Sequence, residues 1–278
     1  MINALADDSR FEPNQKRQVI DSTLNTDVIA ADFANTVFIR LVAKERTFRN
    51  VDFRFCVFDG CYLRSCQFDS CTFTGCRFIG SNFEGSRFAG SEFDYAVFER
   101  TNITPDILDT EAPATENMQR RFARALRVNY QQLGDAQSVN KAIGLELKAT
   151  EIHLHKAWHS REAYYRAKYR SWERVWAFLE WLEFKTLDIL WGNGESLANL
   201  IRSICLCLIA IGTTAFLASN SPPDLKLFAN SLFYSPAVLF GTLSPTALGP
   251  LTLAAIVALR TIGLAMLIAI LVKRFSRR

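Results

Sequence analysis

Hydrophobic positions recur along this chain with three different spacings. From Thr47 to Ile103 an apolar side chain returns at every fifth residue: Phe48, Phe53, Phe58, Leu63, Phe68, Phe73, Phe78, Phe83, Phe88, Phe93, Phe98 and Ile103. Two positions before nearly all of them sits a small side chain: Val51, Cys56, Cys61, Cys66, Cys71, Cys76, Ser81, Ser86, Ser91, Ala96 and Thr101. Beyond Asn117 the apolar residues take helical spacing, with Phe122, Leu126, Tyr130 and Leu133 on one face. Leu197 to Ala218 and Leu251 to Val272 are almost unbroken apolar runs, each long enough for one bilayer span.

A period of five is neither the period of about 3.6 of a helix nor the period of about 2 of a strand. It is a repeat, and it predicts a square solenoid. Five residues make one side and four sides close one coil. The large residue points inward and stacks on its equivalent one coil later, and the small one fits near a corner. Coils then hydrogen-bond at the sheet spacing of about 4.8 Å. The blocks CVFDG, CYLRS, CQFDS, CTFTG, CRFIG, SNFEG, SRFAG and SEFDY resemble the pentapeptide-repeat family, whose members read roughly A-[DN]-L-x-x. The resemblance implies a right-handed quadrilateral β-helix over residues 26–103. Phenylalanine replaces the family's leucine, so the expected core is an aromatic stack of Phe53, Phe58, Phe68, Phe73, Phe78, Phe83, Phe88, Phe93 and Phe98 with Leu63 among them. The register also runs backwards through Val28, Phe33, Phe38 and Ala43, with Ala31 and Thr36 in the small column. Leu41 and Arg46 break it. Residues 26–45 therefore read as a degenerate first coil or cap, and residues 1–25 as a polar tail.

Charge narrows what the rod can do. The chain has 278 residues and a formal net charge of +4. Between Arg46 and Ile103, seven acidic residues face seven basic ones. Some pentapeptide proteins protect DNA gyrase by imitating the charge of a duplex, which needs a strongly acidic surface. A balanced surface does not fit that role. Five of the seven cysteines lie in the small column. Neighbouring ones enter from different sides of the coil, so they read as small buried hydrophobes rather than a metal site. Reduced thiols suit a cytoplasmic location, and the N-terminus has no signal-peptide pattern.

Residues 104–116 hold two prolines and read as a linker. Residues 117–195 read as a cytoplasmic helical domain. Leu133-Gly134-Asp135 stops one helix and caps the next, and the pair resembles the helical hairpin that follows pentapeptide repeats in some membrane-associated bacterial proteins. It is also tetratricopeptide-like in style, and reads as a spacer or oligomerisation element. Glu151, His155 and His159 lie four apart on it; they could ligate a metal, but fit a solvated face better. From Lys156 to Arg174, basic residues alternate with Tyr164, Tyr165, Tyr169 and Trp172. That pattern could stack nucleic acid, but the adjoining apolar spans favour an anionic membrane surface, so no nucleic-acid partner is expected. Trp172, Trp176, Trp181 and Trp191 are membrane-interface candidates, together with Arg202, Lys273 and Arg274.

Residues 196–278 read as a two-span membrane module, with spans at about 197–218 and 251–272. Basic residues before the first span and KRFSRR after the second place both termini in the cytoplasm of a bacterial-type plasma membrane. Arg202 reads as a snorkelling side chain. The connecting loop contains FANSLFYSPAVLFG, Phe228 to Gly241, too short to span and too apolar for water. It predicts a re-entrant element over about 228–245. The order of span, SLFYS, short run, LGP, span and KRF is similar to the two-helix pore module of the potassium-channel superfamily. That resemblance implies filter-like positions at Phe240, Gly241, Thr242 and Ser244. The paired glycines of a potassium filter are absent, and Pro236 interrupts the pore helix, so potassium selectivity is not expected. Arg260 lies about 13–14 Å of helix rise beyond Leu251, inside the second span. Carbonyls of the re-entrant segment or cavity water are its expected partners. In a tetramer four copies of it could ring a pore; the alternative is structural pairing behind the pore helix.

No nucleophile elbow, phosphate loop or converging acid–base pair occurs, so an enzyme is not expected, and neither catalytic residues nor a cofactor are assigned. The sequence reads as a channel-like membrane protein, a homo-oligomer with the tetramer favoured, whose solenoid senses or binds. The alternative is a membrane-anchored scaffold whose rod binds a cytoplasmic protein. In both, the lipid bilayer is a partner.

Overall fold

The structure, a computed structural model, describes residues 16–219 and 224–275. Residues 1–15 of the expected tail, 220–223 of the loop between the expected spans, and the last three residues of the basic C-terminus lie outside it. The chain divides into two compact units, one up to Arg170 and one from Ser171. The division falls inside the stretch expected as one helical domain, because its first two helices pack on the solenoid and its last helix packs on the apolar helices.

The first unit is a parallel β-solenoid of about four turns. Its strands are β1 (Arg17–Ile20), β2 (Thr23–Leu24), β3 (Val28–Ile29), β4 (Thr36–Ile39), β5 (Val42–Ala43), β6 (Thr47–Arg49), β7 (Val57–Asp59), β8 (Gln67–Asp69), β9 (Arg77–Ile79), β10 (Arg87–Ala89) and β11 (Val97–Glu99). One face is the sheet β1-β4-β7-β9-β11, a second is β3-β6-β8-β10, and β2 pairs with β5. Single bridges continue the remaining faces, through Asp32, Asp52, Thr72 and Glu92 and through Val42, Tyr62, Asn82 and Asn102. The register is set by the five-residue period: Phe38, Phe58 and Phe78 pair in turn with the residue twenty positions on.

The large residues form the core. Phe38, Phe58, Phe78 and Phe98 stack at 5.1, 5.2 and 4.9 Å between ring centroids. Phe48, Phe68 and Phe88 stack at 4.8 and 4.9 Å. These distances match the spacing of about 4.8 Å between strands, so each ring rides on its own rung. Neighbouring columns meet edge to face, as between Phe78 and Phe83 at 5.4 Å and 84°. Each such pair adds about 0.5–1.5 kcal/mol beyond the burial of the ring itself.

Every fifth residue turns a corner in the left-handed region. Asn50, Phe55, Ser65, Ser70, Tyr95 and Arg100 have φ between 47° and 59°, and Gly60, Gly75, Gly80, Gly85 and Gly90 fill the same position. A side chain there costs about 1–2 kcal/mol, and the ladder of backbone hydrogen bonds on either side imposes it. At Gly75 the absence of a side chain serves a second end. The Phe55 ring from the preceding coil lies across it, so a Cβ at Gly75 would come within 2.6 Å of that ring.

The first coil starts earlier than the sequence suggested. Residues 17–20 and 23–24 of the expected polar tail are strands, with Val19 under Phe38 and Leu24 under Ala43. These pairs are nineteen residues apart rather than twenty. The slip lies between Leu24 and Val28, which are four apart, and it put Val19 and Leu24 out of phase with the later repeats. Leu41 does not break the ladder either: it is buried in the small column.

The far end of the solenoid is covered by helices. The expected linker contains α1 (Ile107–Thr110), whose Ile107 and Leu108 are buried. Leu108 holds the position five residues after Ile103, so the inward count outlasts the strands. The helices α2 (Glu116–Leu133) and α3 (Ala136–His159) form an antiparallel hairpin, followed by the short α4 (Ala163–Lys168). Gly134 at φ 72° closes α2, and Asp135 accepts a hydrogen bond from the Ser138 amide to open α3. Phe122 packs on Phe93 and Phe98 at 5.8 and 6.2 Å.

The second unit holds α5 (Ser171–Trp191), α6 (Leu197–Ala218), α7 (Leu225–Phe240) and α8 (Pro250–Phe275). The helices α6 and α8 have mean hydropathies of 2.1 and 2.5 over their most apolar stretches. Gly212 of α6 lies against Leu232 of α7, where a Cβ would meet the Leu232 backbone at 3.0 Å. Small residues permit such close helix approach. Pro236 does not interrupt α7. It cannot donate to the Leu232 carbonyl, and the Ser235 hydroxyl donates to that carbonyl instead, at 2.8 Å.

Candidate functional site

Three groups of side chains carry the chemistry: the inward small column with its terminal cap, a buried histidine network, and an arginine in the apolar unit.

In the small column, thiols and hydroxyls repeat one contact. The Cys56, Cys61, Cys71 and Cys76 thiols donate to the carbonyls of Phe33, Phe38, Phe48 and Phe53. The hydroxyls of Ser81, Ser86 and Ser91 donate to those of Phe58, Leu63 and Phe68. Ser81 and Ser86 also accept from the Cys61 and Cys66 amides, at 3.0 Å each. Burial pushes the Cys61 and Cys71 thiols up to about 11, so thiolate chemistry is suppressed there. This column packs and braces the coils. Among the described residues no group of three or more His, Cys, Asp or Glu side chains is placed to hold a metal.

The last rung is completed by side chains from the cap. Thr101 donates its amide to Asn129 Oδ1 at 2.7 Å, and Asn129 Nδ2 donates to the Thr101 carbonyl at 2.8 Å. The Arg100 amide donates to Gln132 at 2.9 Å, and the Ser91 amide to buried Glu111 at 2.7 Å. Burial raises the Glu111 carboxyl above its ordinary value. The outer faces are laced by exposed ion pairs that climb from coil to coil, Arg49 with Asp69, Arg64 with Glu84 and Arg77 with Glu99. Each contributes little in water, but together they leave neutral, flat faces.

The histidine that matters in the hairpin is His153, which sequence reasoning passed over. Its spacing from the buried Ala142 and Ala149 was the available signal. It is buried, with Nδ1 3.1 Å from the Tyr165 hydroxyl and Nε2 3.4 Å from that of Tyr169. Tyr165 donates onward to Glu116, which is paired with Lys156 at 2.6 Å. Burial, then Arg120 and Lys168, lowers the His153 pKa. Glu151, His155 and His159 are not drawn together as ligands: the His155 ring packs on Trp158 and His159.

In the second unit, Trp172 and Trp176 are 69% and 56% exposed on α5. Trp181 and Trp191 are partly covered. The Arg202 guanidinium donates to the Ile189 carbonyl, and the Ser203 hydroxyl to that of Leu190, so both close the end of α5. Lys273 pairs with Glu195, and Arg274 is exposed. The filter-like residues form a helix cap rather than an extended run. The Gly241 amide donates to the Val238 carbonyl, and the Thr242 amide and hydroxyl both donate to Ala237, at 2.9 and 3.1 Å. Phe240 and Ser244 are exposed. Arg260 Nη1 donates to the Phe240 carbonyl at 2.9 Å, over Gly241, where a Cβ would come within 2.6 Å of the guanidinium. Beside it opens an apolar cleft of about 200 Å³.

A family profile described as pentapeptide repeats (9 copies) matches residues 45–87 and 58–108. The solenoid therefore carries pentapeptide repeats, and the match ends within α1, ahead of the α2–α3 hairpin. Among solved structures, a pentapeptide repeat protein from the cyanobacterium Cyanothece 51142 is 9% identical, with a TM-score of 0.30, covering 31% of this chain and 73% of that one. QnrB1, a plasmid-mediated fluoroquinolone resistance protein, is 15% identical, with a TM-score of 0.18 over 33% of this chain and 64% of that one. A pentapeptide repeat protein from the Arabidopsis thaliana thylakoid lumen is 16% identical, with a TM-score of 0.17 over 38% and 87%. No curated protein matches the chain.

Proposed function

We propose that this protein is a membrane-anchored interaction module, in which α6 and α8 cross the bilayer and the pentapeptide solenoid offers its flat faces to a protein partner. The observation that carries the anchor is exposure. Only 17% of the most apolar stretch of α6 and 11% of that of α8 is buried, and Ile209, Leu217, Ile268 and Val272 are between 52% and 73% exposed. Apolar surface on that scale belongs in lipid rather than water. The solenoid supports the binding half: its core is closed, its thiols are inert, and repeat rods commonly bind through their faces. Both ends of the hairpin lie on the cytoplasmic side of a bacterial-type plasma membrane in this reading. The full chain is expected to stay with the membrane pellet after alkaline carbonate extraction. Release into the supernatant overturns the anchor.

A channel-like assembly, the tetramer favoured, is the second reading. What favours it is α7, a 16-residue apolar helix too short to span, from which nine residues lead back to Pro250. Gly212 against Leu232 and Arg260 against Phe240 fit a re-entrant course. The reading expects ion flux in proteoliposomes, with selectivity altered by Arg260→Glu. A silent, monomeric particle ends it.

A further inference from the structure

Among the described residues no carboxylate forms an ion pair with Arg260, whose guanidinium is held by the Phe240 carbonyl through one N–H group. No Asp or Glu occurs in α6, in α8 or between Leu225 and Gly249. The same three helices of a second copy, α6, α7 and α8, carry no acid either. An arginine held this way in a span costs several kcal/mol unless its charge is met.

The cleft beside it says what meets it. It is lined by Leu200, Ile204, Leu239, Leu264 and Leu267, with Gly263 at its wall. Nothing lies within 4 Å of where a Gly263 Cβ would project. The combination is an apolar slot with one guanidinium.

We infer that this cleft binds a single-chain fatty acid, with its carboxylate on Arg260 and its acyl chain along α6 and α8. The inference rests on the membrane reading. Depth argues against a diacyl phospholipid. Arg260 lies ten residues, about 15 Å of helix, from Pro250 and thirteen, about 20 Å, from Lys273, so it sits away from both ends of α8. A phosphate is tied to headgroup level, whereas a fatty acid enters protonated and, once beside the guanidinium, releases its proton to the aqueous phase. A carboxyl in lipid has a raised pKa, and an adjacent cation lowers it again.

The test uses palmitic acid labelled with carbon-13 at the carboxyl, in phosphatidylcholine vesicles holding the full chain. Flotation of the vesicles with bound protein checks the membrane reading separately. The wild type is expected to show a second carboxyl signal, one per chain, that stays ionised to lower pH than the signal from protein-free vesicles. Arg260→Met removes that signal. Gly263→Leu fills the slot, leaves the guanidinium in place, and weakens binding by about tenfold or more. Several results overturn the site although the protein floats: no second signal, a signal unchanged in Arg260→Met, displacement by acetate alone or by phosphatidylglycerol, or an Arg260-dependent oligomer without fatty acid. Protein that fails to float overturns the membrane reading itself.

Discussion

Asn129 stands to Thr101 as the next coil would. Its carboxamide accepts from the Thr101 amide and donates to the Thr101 carbonyl, at 2.7 and 2.8 Å, and is fully buried. A primary amide has the same donor and acceptor as a peptide group, so one side chain replaces one rung. Asn129→Ala leaves two buried backbone groups unpaired, at about 1–3 kcal/mol each. The urea midpoint of the first unit's transition should fall accordingly, with faster hydrogen exchange at the Thr101 amide. Asn129→Asp sets a buried carboxylate against the Thr101 carbonyl and should destabilise at neutral pH at least as much as Asn129→Ala. Wild-type stability in both variants would show that the Asn129 carboxamide does not stand in for a rung.

Phe55 and Gly75 make a second test. Gly75→Ala meets both a left-handed φ of 70° and the Phe55 ring, whereas Gly80→Ala meets only a φ of 53°. Both should destabilise by about 1–2 kcal/mol from the backbone, and Gly75→Ala should cost more. In a Phe55→Ala background that excess should vanish, which a double-mutant cycle of unfolding free energies reads directly. An excess that survives would mean that the ring is not what excludes the side chain.

His153 gives a dependence on pH. Burial lowers its pKa in the folded state from the ordinary 6.5. The unfolded chain therefore takes up a proton at a pH where the folded chain does not. Stability is complete above about 6.5 and falls as the pH drops from there to the folded pKa. The unfolding midpoint of the wild type should decline across that window relative to His153→Gln. Parallel curves for the two proteins would place the titration elsewhere.

The middle of the solenoid was legible because each side repeats the same constraint, so Phe53 to Phe98 could be placed inward by counting. Its ends were not. Val19 and Leu24 were lost to a single missing residue before Val28, which no periodic count survives. Leu108 and Glu111 were hidden by the prolines around them, although they keep the five-residue phase. Asn129 could not be found at all: its role depends on where a helix docks, and a polar residue on an apolar helical face carries no sign of a backbone partner 28 positions earlier. Arg260 was conspicuous as a charge in a long apolar run. Its bond to the Phe240 carbonyl follows from α7 ending beside α8, which sequence suggests only through the short length of α7. Pro236 misled because the rescue of its orphaned carbonyl comes from a neighbouring serine hydroxyl.

The helical cap also fixes the polarity of assembly. A parallel solenoid is a template at both ends, since the last coil presents the same amides and carbonyls that recruited it. Here Asn129, Gln132 and Glu111 occupy those groups at the C-terminal end. Copies of this rod therefore cannot polymerise head to tail through that end, and the filament that an uncapped ladder of this regularity invites is terminated within the chain itself.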